Sequence, residues 1–172
     1  MSSKNCSVIP SGVVFPEGEE PRILQTARQF HALRLGAPIL LGDPMKIKEI
    51  AEGLNIPLDG IRIINPATSE DLDNFSNRFF RLRREKGLRA TEAREAMQQP
   101  NYYGTMMLAM HQADGVVSGA SHITSSLLRP LFQIIKVAPD IATASSCMVM
   151  EVENTRIGEA GVLFMADCGR YS

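Results

Sequence analysis

Short apolar segments alternate with segments of helical spacing along most of this 172-residue chain. Each apolar segment is bounded on at least one side by glycine, proline or asparagine, and is followed by a stretch whose apolar residues recur every three or four positions. Strands that alternate with helices pair in parallel, so the pattern predicts a layered α/β/α fold with a mainly parallel sheet. The predicted strands are residues 13–15, 38–41, 61–64 and 116–117.

The predicted helices are bounded by residues that favour helix ends. Asp43 and Pro44 have the residue types of an N-cap and of a first helical position. Gly36 and Gly87 stand where the preceding helical spacing stops, and glycine is the usual residue at that position. The predicted helices are residues 21–35, 44–53, 69–86, 90–97, 102–112 and 127–137.

The last part of the chain differs from the rest because it contains apolar segments without a helix between them. Residues 142–152 and 161–166 are predicted strands, and the polar connection 153–160 favours an antiparallel pair. We therefore expect residues 1–140 to form a first α/β domain and residues 141–172 to begin a second.

Charge and cysteine usage narrow the class of protein. A formal net charge of −1 gives no general attraction to nucleic acid or to anionic membranes. The three cysteines, Cys6, Cys147 and Cys168, have no C-x-x-C spacing, which argues against disulfides or zinc and favours the cytoplasm. Cys147 itself is predicted to be a small buried hydrophobe in a strand. The sequence shows neither a signal peptide nor the roughly 18 apolar residues of a membrane-spanning helix.

A loop rich in small and hydroxyl residues, 118–126, lies between the predicted strand 116–117 and the following helix. The free N–H groups and the dipole of a helix N-terminus favour an anion, and serine and threonine hydroxyls add donors. Arg129 follows the loop, and its guanidinium matches phosphate geometry. A cation near a helix start is unfavourable unless an anion binds there, so Arg129 is the strongest candidate. N-capping explains the Ser/Thr run 124–126 equally well.

Helical geometry separates Arg83 from the other basic residues of its segment. At about 100° per residue, Arg83 falls between Phe79 and Phe80, whereas Arg81 and Arg84 point away from the apolar stripe. Arg83 is therefore the arginine of this segment that we expect to lie against the protein body. For the others a solvated helix face is the expected role.

The acidic segment Glu17-Gly18-Glu19-Glu20 has two interpretations. Clustered carboxylates are compatible with a metal site, but an acidic segment before a helix is also favourable to the helix dipole. The second interpretation is the simpler, so no metal site is predicted. The methionines at 106, 107 and 110 are most simply explained by core packing.

Several separated motifs share one order with a known family. They are SGA with the following Ser/Thr run, then LRP and QIIK, preceded along the chain by VVFPEGEEPRIL, PILLGDP, RLRREKG and YYGTMM. Over roughly residues 12–168 the sequence resembles the phosphate acetyltransferases and phosphate butyryltransferases, and most closely the former. The resemblance implies a fold like that of the isocitrate/isopropylmalate dehydrogenases. It also implies proteins about twice as long, so we expect a truncated member, incomplete in the second domain.

The resemblance also implies a reaction and its residues. The expected reaction moves an acetyl group between acetyl phosphate and coenzyme A, with coenzyme A as co-substrate, no bound cofactor and no metal. Arg129 is the expected catalytic residue because the matching arginine binds the phosphoryl group. Arg83 matches an arginine that contributes to the coenzyme A and phosphate site. The remaining substrate-binding candidates are the hydroxyl residues Ser121, Thr124, Ser125 and Ser126.

Three hypotheses remain open on the sequence. In the resembled family the base aspartate and a neighbouring Ser–Arg pair belong to the C-terminal half, and no residues here match them. The chain is therefore an acyltransferase that needs the rest of its polypeptide, a non-catalytic module that binds phosphate or acyl phosphate, or an inactive fragment. The full-length family member is expected to be a homodimer, without nucleic-acid or membrane partners.

Overall fold

The computed structural model describes residues 11–121, 124–135 and 147–166, apart from the side chain of Thr124. Their contacts form two units, one within residues 1–136 and the other within 137–172. The predicted domain boundary near residue 140 lies outside the described residues. Each unit is therefore described by itself.

The first unit is built on a parallel sheet of four strands in the order β3-β2-β1-β4. Val14, at the centre of the sheet, pairs with Ile39 on one side and with Val116 on the other. The predicted mainly parallel α/β architecture is thereby confirmed. The strands are β1 (Gly12–Phe15), β2 (Ala37–Leu41), β3 (Arg62–Ile64) and β4 (Gly115–Val116).

Six α-helices connect and follow these strands in the described part of the chain. They are α1 (Pro21–Ala32), α2 (Pro44–Gly53), α3 (Leu72–Arg83), α4 (Ala90–Met97), α5 (Pro100–Ala109) and α6 (Thr124–Ile134). A short 3₁₀ helix, Arg84–Lys86, continues α3. Of the helices described, none combines the length and the apolar character that crossing a bilayer requires.

Local chemistry explains the helix bounds, including those that differ from prediction. The Asp43 carboxylate accepts a hydrogen bond of 2.9 Å from the Met45 N–H, which caps α2 as predicted. The helix before Gly87 ends in a left-handed glycine, with φ of 86°. By contrast, α1 ends before residue 35 because Arg34 has a left-handed backbone, with φ of 56°. Helix α6 begins at Thr124 rather than at residue 127.

Alternating residues of the strands face two helical layers. On one face, Val14, Ile39 and Leu41 pack into a cluster with aromatic residues of α3 and with Met106 and Met107, all buried. On the other face, a second cluster of buried residues joins the sheet to α1 and α2; it contains Phe15, Leu24, Leu40 and Ile47. The central methionines therefore belong to the core, as predicted.

The second unit contains an antiparallel pair, β5 (Cys147–Glu151) and β6 (Val162–Ala166), with Val149 opposite Phe164. The predicted antiparallel arrangement is correct. The predicted burial of Cys147 is wrong, because all five residues of β5 are exposed. A two-stranded sheet has two faces, and no layer covers them among the described residues of this unit.

Candidate functional site

The order of the strands places a crevice at one edge of the sheet. The chain runs from β1 outward to β2 and β3 on one side, whereas β4 lies on the other side of β1. In an open parallel sheet, ligands bind beyond the carboxyl ends of the strands at such a reversal of strand order. Residues 16–20, which follow β1, and residues 117–121, which follow β4, therefore meet where a ligand is expected.

A buried carboxylate joins these two loops. The Glu17 side chain accepts backbone hydrogen bonds from the N–H groups of Gly119 (2.9 Å), Ala120 (2.8 Å) and Ser121 (2.7 Å). The Ser121 hydroxyl donates a further bond of 3.0 Å to the same carboxylate. Glu17 is only 4% exposed, although its carboxylate is the kind of group that usually stays in water. The hydrogen bonds between Glu17 and residues 119–121 are called the Glu17 contact below.

The acidic segment was expected to support the dipole of α1. Glu17 instead lies in the loop before α1, and its carboxylate accepts hydrogen bonds from the loop that follows β4. The donors of this part of the loop therefore face a carboxylate of the chain itself. Any anion bound by Ser121 as a donor would have to compete with Glu17. Neither the acidic segment nor the loop revealed this pairing in the sequence, because the two lie about a hundred positions apart.

The crevice beside the Glu17 contact is a cavity of about 350 Å³ lined by three carboxylates, those of Glu17, Glu19 and Glu20, together with Ser121. A crevice with this lining repels phosphate. In the described ranges 11–121, 124–135 and 147–166, no group of three or more His, Cys, Asp or Glu residues has a metal-binding arrangement. The crevice at the reversal of strand order is therefore poorly suited to bind an anion directly.

A more favourable anion site lies along α6. Because α6 begins at Thr124, residues 124–126 form its first turn, where backbone N–H groups lack helical partners. Ser125 is exposed and Ser126 is half-buried. Arg129 lies in the second turn, so the predicted conflict between its charge and the helix start is weaker than expected, since that effect fades beyond the first turn.

Arg129 lines a cavity of about 510 Å³, which is called the Arg129 cavity below. Tyr102 on α5 and Gln133 on α6 belong to its wall, and the Tyr102 hydroxyl donates a hydrogen bond of 2.9 Å to the Gln133 side-chain oxygen. The Tyr102 ring packs edge-on against Phe79 of α3, with ring centres 5.5 Å apart. Three helices therefore converge on this tyrosine.

The charges of both predicted arginines act on the Tyr102 hydroxyl. Burial raises the pKa of the Tyr102 hydroxyl, and the charges of Arg129 and Arg83 act in the opposite direction. Arg83 is half-buried while Arg81 and Arg84 are exposed, as helical geometry predicts. Within the part of the chain that the structure describes, neither Arg83 nor Arg129 forms a side-chain hydrogen bond or an ion pair.

Comparison with known proteins gives the family. The profile of the phosphate acetyl/butaryl transferase family matches residues 4–171. The chain belongs to this family.

Relatives named phosphate acetyltransferase agree with this assignment. One from Thermoanaerobacterium thermosaccharolyticum is 43% identical over 156 residues, which is 91% of this chain and 47% of the relative. Another, from Acetivibrio thermocellus, is 37% identical over 157 residues, again 91% of this chain and 47% of the relative. The chain thus spans about half the length of the curated relatives it matches.

Solved structures extend the likeness to the fold. The EutD phosphotransacetylase from Staphylococcus aureus superposes with a TM-score of 0.81 at 34% identity, over 94% of this chain and 47% of that one. A phosphotransacetylase from Streptococcus pyogenes gives a TM-score of 0.78 at 34% identity, over 85% of this chain and 44% of that one. The resemblance drawn from the sequence motifs is therefore confirmed.

In this phosphate acetyl/butaryl transferase chain, the Arg129 cavity also contains carboxylates. Glu92 and Glu95 of α4 belong to its lining. Glu92 is already engaged, because its oxygens accept bonds of 2.7 and 3.0 Å from the Arg89 guanidinium and 2.9 Å from the Arg89 N–H. The hydrogen bond from Arg89 lowers the pKa of Glu92, so Glu92 stays ionised and is a weak base.

The structure thus sorts the predicted site residues of this family member. Arg129 lines a cavity with Tyr102, the charges of Arg83 and Arg129 both act on that tyrosine, and Ser125 and Ser126 lie in the first turn of the Arg129 helix. The structure directs both donors of Ser121 elsewhere, to Glu17. The side chain of Thr124 lies outside the described residues.

Sequence reasoning missed Tyr102. It lies in YYGTMM, a segment apolar on all sides of α5, which conceals any polar face from periodicity. The family motif YYGTMM is the signal in the sequence that points to this tyrosine.

Proposed function

We propose that this chain supplies the phosphate- and coenzyme A-binding part of an acyltransferase that moves an acetyl group between acetyl phosphate and coenzyme A. The observation that carries this proposal is that Arg129 lines a cavity with Tyr102, and that neither Arg129 nor the half-buried Arg83 has an internal ion-pair or hydrogen-bond partner among the described residues. Arginines without an internal partner are suited to phosphate, because guanidinium offers two parallel donors to two phosphate oxygens. Membership of the phosphate acetyl/butaryl transferase family supports the same conclusion.

The proposed chemistry needs charge stabilisation at the leaving group. A base removes the proton of the coenzyme A thiol, the thiolate sulfur bonds to the acetyl carbonyl carbon, and the bond from that carbon to the phosphate oxygen breaks. The departing phosphate gains negative charge. A guanidinium aimed at those oxygens stabilises the transition state electrostatically. We assign this role to Arg129.

The other residues have supporting roles in this proposal. Arg83 binds phosphate groups of coenzyme A. The first turn of α6, which contains Thr124, Ser125 and Ser126, lies at the end of the helix whose dipole favours the phosphoryl oxygens. Ser121 differs, because its N–H and hydroxyl already donate to Glu17. Its remaining contribution to a substrate is the lone pairs of the hydroxyl, which accept a hydrogen bond.

A phosphate-binding module without turnover is the second candidate function. The observation that favours it is the state of Glu92, which lies in the Arg129 cavity but is held ionised by Arg89. A carboxylate with a lowered pKa is a poor acceptor for a thiol proton, whose ordinary pKa is about 8.5. Binding of both substrates without turnover is the outcome that this candidate predicts.

Calorimetric titration of the purified chain tests the site. We expect inorganic phosphate to bind, and Arg129→Ala to weaken its affinity about tenfold or more, since a charge-assisted hydrogen bond contributes about 1.5–3 kcal/mol. Arg83→Ala should weaken coenzyme A affinity more than phosphate affinity. Arg84→Ala is the matched control, because Arg84 follows Arg83 directly and is exposed. Equal phosphate affinity in wild type and Arg129→Ala would overturn the assignment.

A turnover assay separates the two candidate functions. Coenzyme A-dependent consumption of acetyl phosphate by the chain, reduced in Arg129→Ala, supports the acyltransferase. Binding without consumption supports the module. Absence of both binding and turnover supports an inactive fragment, and turnover that Arg129→Ala leaves unchanged contradicts the role given to this arginine.

A further inference from the structure

The Glu17 contact is a connection between distant parts of the chain. Its hydrogen bonds join Glu17, two residues after β1, to residues 102 to 104 positions later. They involve backbone N–H groups, so they constrain the path of the loop and not merely one side chain. A second link strengthens it, since the Arg22 guanidinium donates 2.7 Å bonds to the Ala120 carbonyl and to Glu20.

The shape of the loop depends on having an anion at its centre. Gly119 has a φ of 113°, a conformation that residues with a Cβ rarely adopt. This geometry turns successive N–H groups of residues 119, 120 and 121 toward a single point, and the Glu17 carboxylate fills that point. Without a negative charge there, the aligned N–H dipoles repel one another and the loop loses its main restraint.

The same loop leads directly into α6. Ser121 is three positions before Thr124, the first residue of α6, and Arg129 lies in the next turn. The part of the chain that Glu17 holds therefore lies three positions before the start of the helix. A shift of about 1 Å in a substrate-positioning group is enough to lower its effect strongly.

We propose that Glu17 is a positioning residue for phosphate: its buried carboxylate fixes the 119–121 loop and thereby places the first turn of α6 and Arg129. Glu17 contacts no substrate in this role. It acts through backbone donors, in the way that outer residues orient the ligands of a binding site. The role rests on the proposed function, because it concerns the same phosphate site.

Glutamine at position 17 is the discriminating substitution. It has nearly the same volume as glutamate, but it replaces one acceptor oxygen with an N–H₂ group that faces the loop donors and it removes the charge. We expect Glu17→Gln to weaken the affinity for inorganic phosphate about tenfold, measured by calorimetry. Hydrogen exchange of the 119–121 amides should become faster in the same variant, which reports on the loop independently of the ligand.

Glu19→Gln is the matched control. Glu19 lies at the same edge of the sheet, but its carboxylate accepts from the Asp43 N–H at 2.9 Å and lies 3.6 Å from the Lys46 ammonium, so it restrains the β2 loop instead. We expect Glu19→Gln to leave phosphate affinity and the 119–121 exchange rates unchanged. An equal loss in both variants would indicate a general charge effect and overturn the positioning role.

Formate provides a rescue test that a merely structural role does not pass. Glu17→Ala removes the carboxylate and leaves its donors around a gap of matching size. We expect formate, compared with chloride at equal ionic strength, to restore both slow amide exchange and phosphate affinity in Glu17→Ala, but to restore neither in Glu17→Gln, whose amide fills the gap. Should Glu17→Gln fail to fold, this alanine variant decides, and failure of formate to restore its phosphate affinity overturns the inference.

The outcomes separate this inference from the proposed function. Phosphate affinity that is lost in Arg129→Ala but unchanged in folded Glu17→Gln overturns the positioning role alone. Phosphate affinity unchanged in Arg129→Ala overturns the proposed site itself. Loss in both variants, with formate rescue of Glu17→Ala and a silent Glu19→Gln, supports both.

Discussion

The Glu17 contact and the Arg129 cavity are two charged regions of one unit, and they are organised in opposite ways. At the Glu17 contact, a buried carboxylate is surrounded by donors of the chain, at 2.7–3.0 Å. The Arg129 cavity is lined by Arg129 and Tyr102, and among the described residues Arg129 has neither an ion-pair partner nor a side-chain hydrogen bond.

The difference shows which charged group serves the fold and which is available to a ligand. A buried charge must be satisfied internally, because its desolvation is costly, and the Glu17 contact meets that requirement. An exposed arginine such as Arg129 is satisfied by water until a ligand replaces the water. A charged group therefore stabilises the fold where the chain itself supplies its partners, and is available to a ligand where the chain does not.

Among the substitutions that test this comparison, Glu17→Ala is expected to have the largest effect on the free energy of unfolding. Removing the carboxylate leaves backbone donors without their partner, so we expect the free energy of unfolding to fall by about 2–3 kcal/mol. Urea denaturation measures it. Glu19→Ala, at the same edge, should cost clearly less because Glu19 is exposed. Equal losses would mean that the Glu17 contact is no more structural than an ordinary surface carboxylate.

Ser121→Ala tests one bond of the Glu17 contact. We expect a loss of about 1 kcal/mol in the free energy of unfolding, because the variant removes a single hydroxyl donor. Ser118→Ala should cost less, since the Ser118 hydroxyl lies 3.5 Å from the Glu17 carboxylate against 3.0 Å for Ser121. In the Glu17→Gln background, the cost of Ser121→Ala should shrink, and full additivity would contradict the pairing.

The titration of Tyr102 tests the Arg129 cavity. Removing the Arg129 charge destabilises the phenolate, so we expect Arg129→Ala to raise the pKa of Tyr102 further above its ordinary value. Saturating phosphate should act in the same direction in the wild type, because an anion near the hydroxyl opposes ionisation. NMR of ¹³C-labelled tyrosine resolves this residue from Tyr103 and Tyr171. A pKa unchanged in Arg129→Ala would show that the guanidinium does not face the hydroxyl.

The smallest expected effect on stability comes from changing Glu92, which lines the Arg129 cavity. Arg89 lowers the pKa of Glu92 below its ordinary value of 4.5, so ionised Glu92 stabilises the folded chain above that pH. This contribution is lost as the pH falls through the lowered pKa. We therefore expect wild type to be slightly more stable than Glu92→Gln at neutral pH, with the difference vanishing in acid. Urea denaturation across that range measures it, and a difference that grows in acid would contradict the Arg89–Glu92 pairing.

Local signals were sufficient for most of the first unit. The N-cap at Asp43 and the left-handed Gly87 depend on neighbouring residues alone, and both are found where the sequence places them. The burial of Arg83 followed from the angle between helical positions. The start of α6 was missed because serine and threonine favour both caps and loops, so three of them in succession leave the first helical residue undetermined.

Other features required the whole fold. Cys147 lies in a strand as its composition predicts, but burial depends on a covering layer, and composition does not supply one. Tyr102 was hidden because α5 is apolar on all sides, so its one polar contact depends on where α6 lies.

The sequence by itself determined the parallel α/β architecture, the family and the arginine that lies against the protein body, because periodicity, capping chemistry and motif order are properties of neighbouring residues. Only the tertiary structure decided that Glu17 fills the loop expected to hold an anion, while Arg129 lines a cavity with Tyr102. Strand order brings the ends of β1 and β4 together, and helix packing brings α3, α5 and α6 together. The Glu17 carboxylate reaches donors about a hundred positions away only through that strand order.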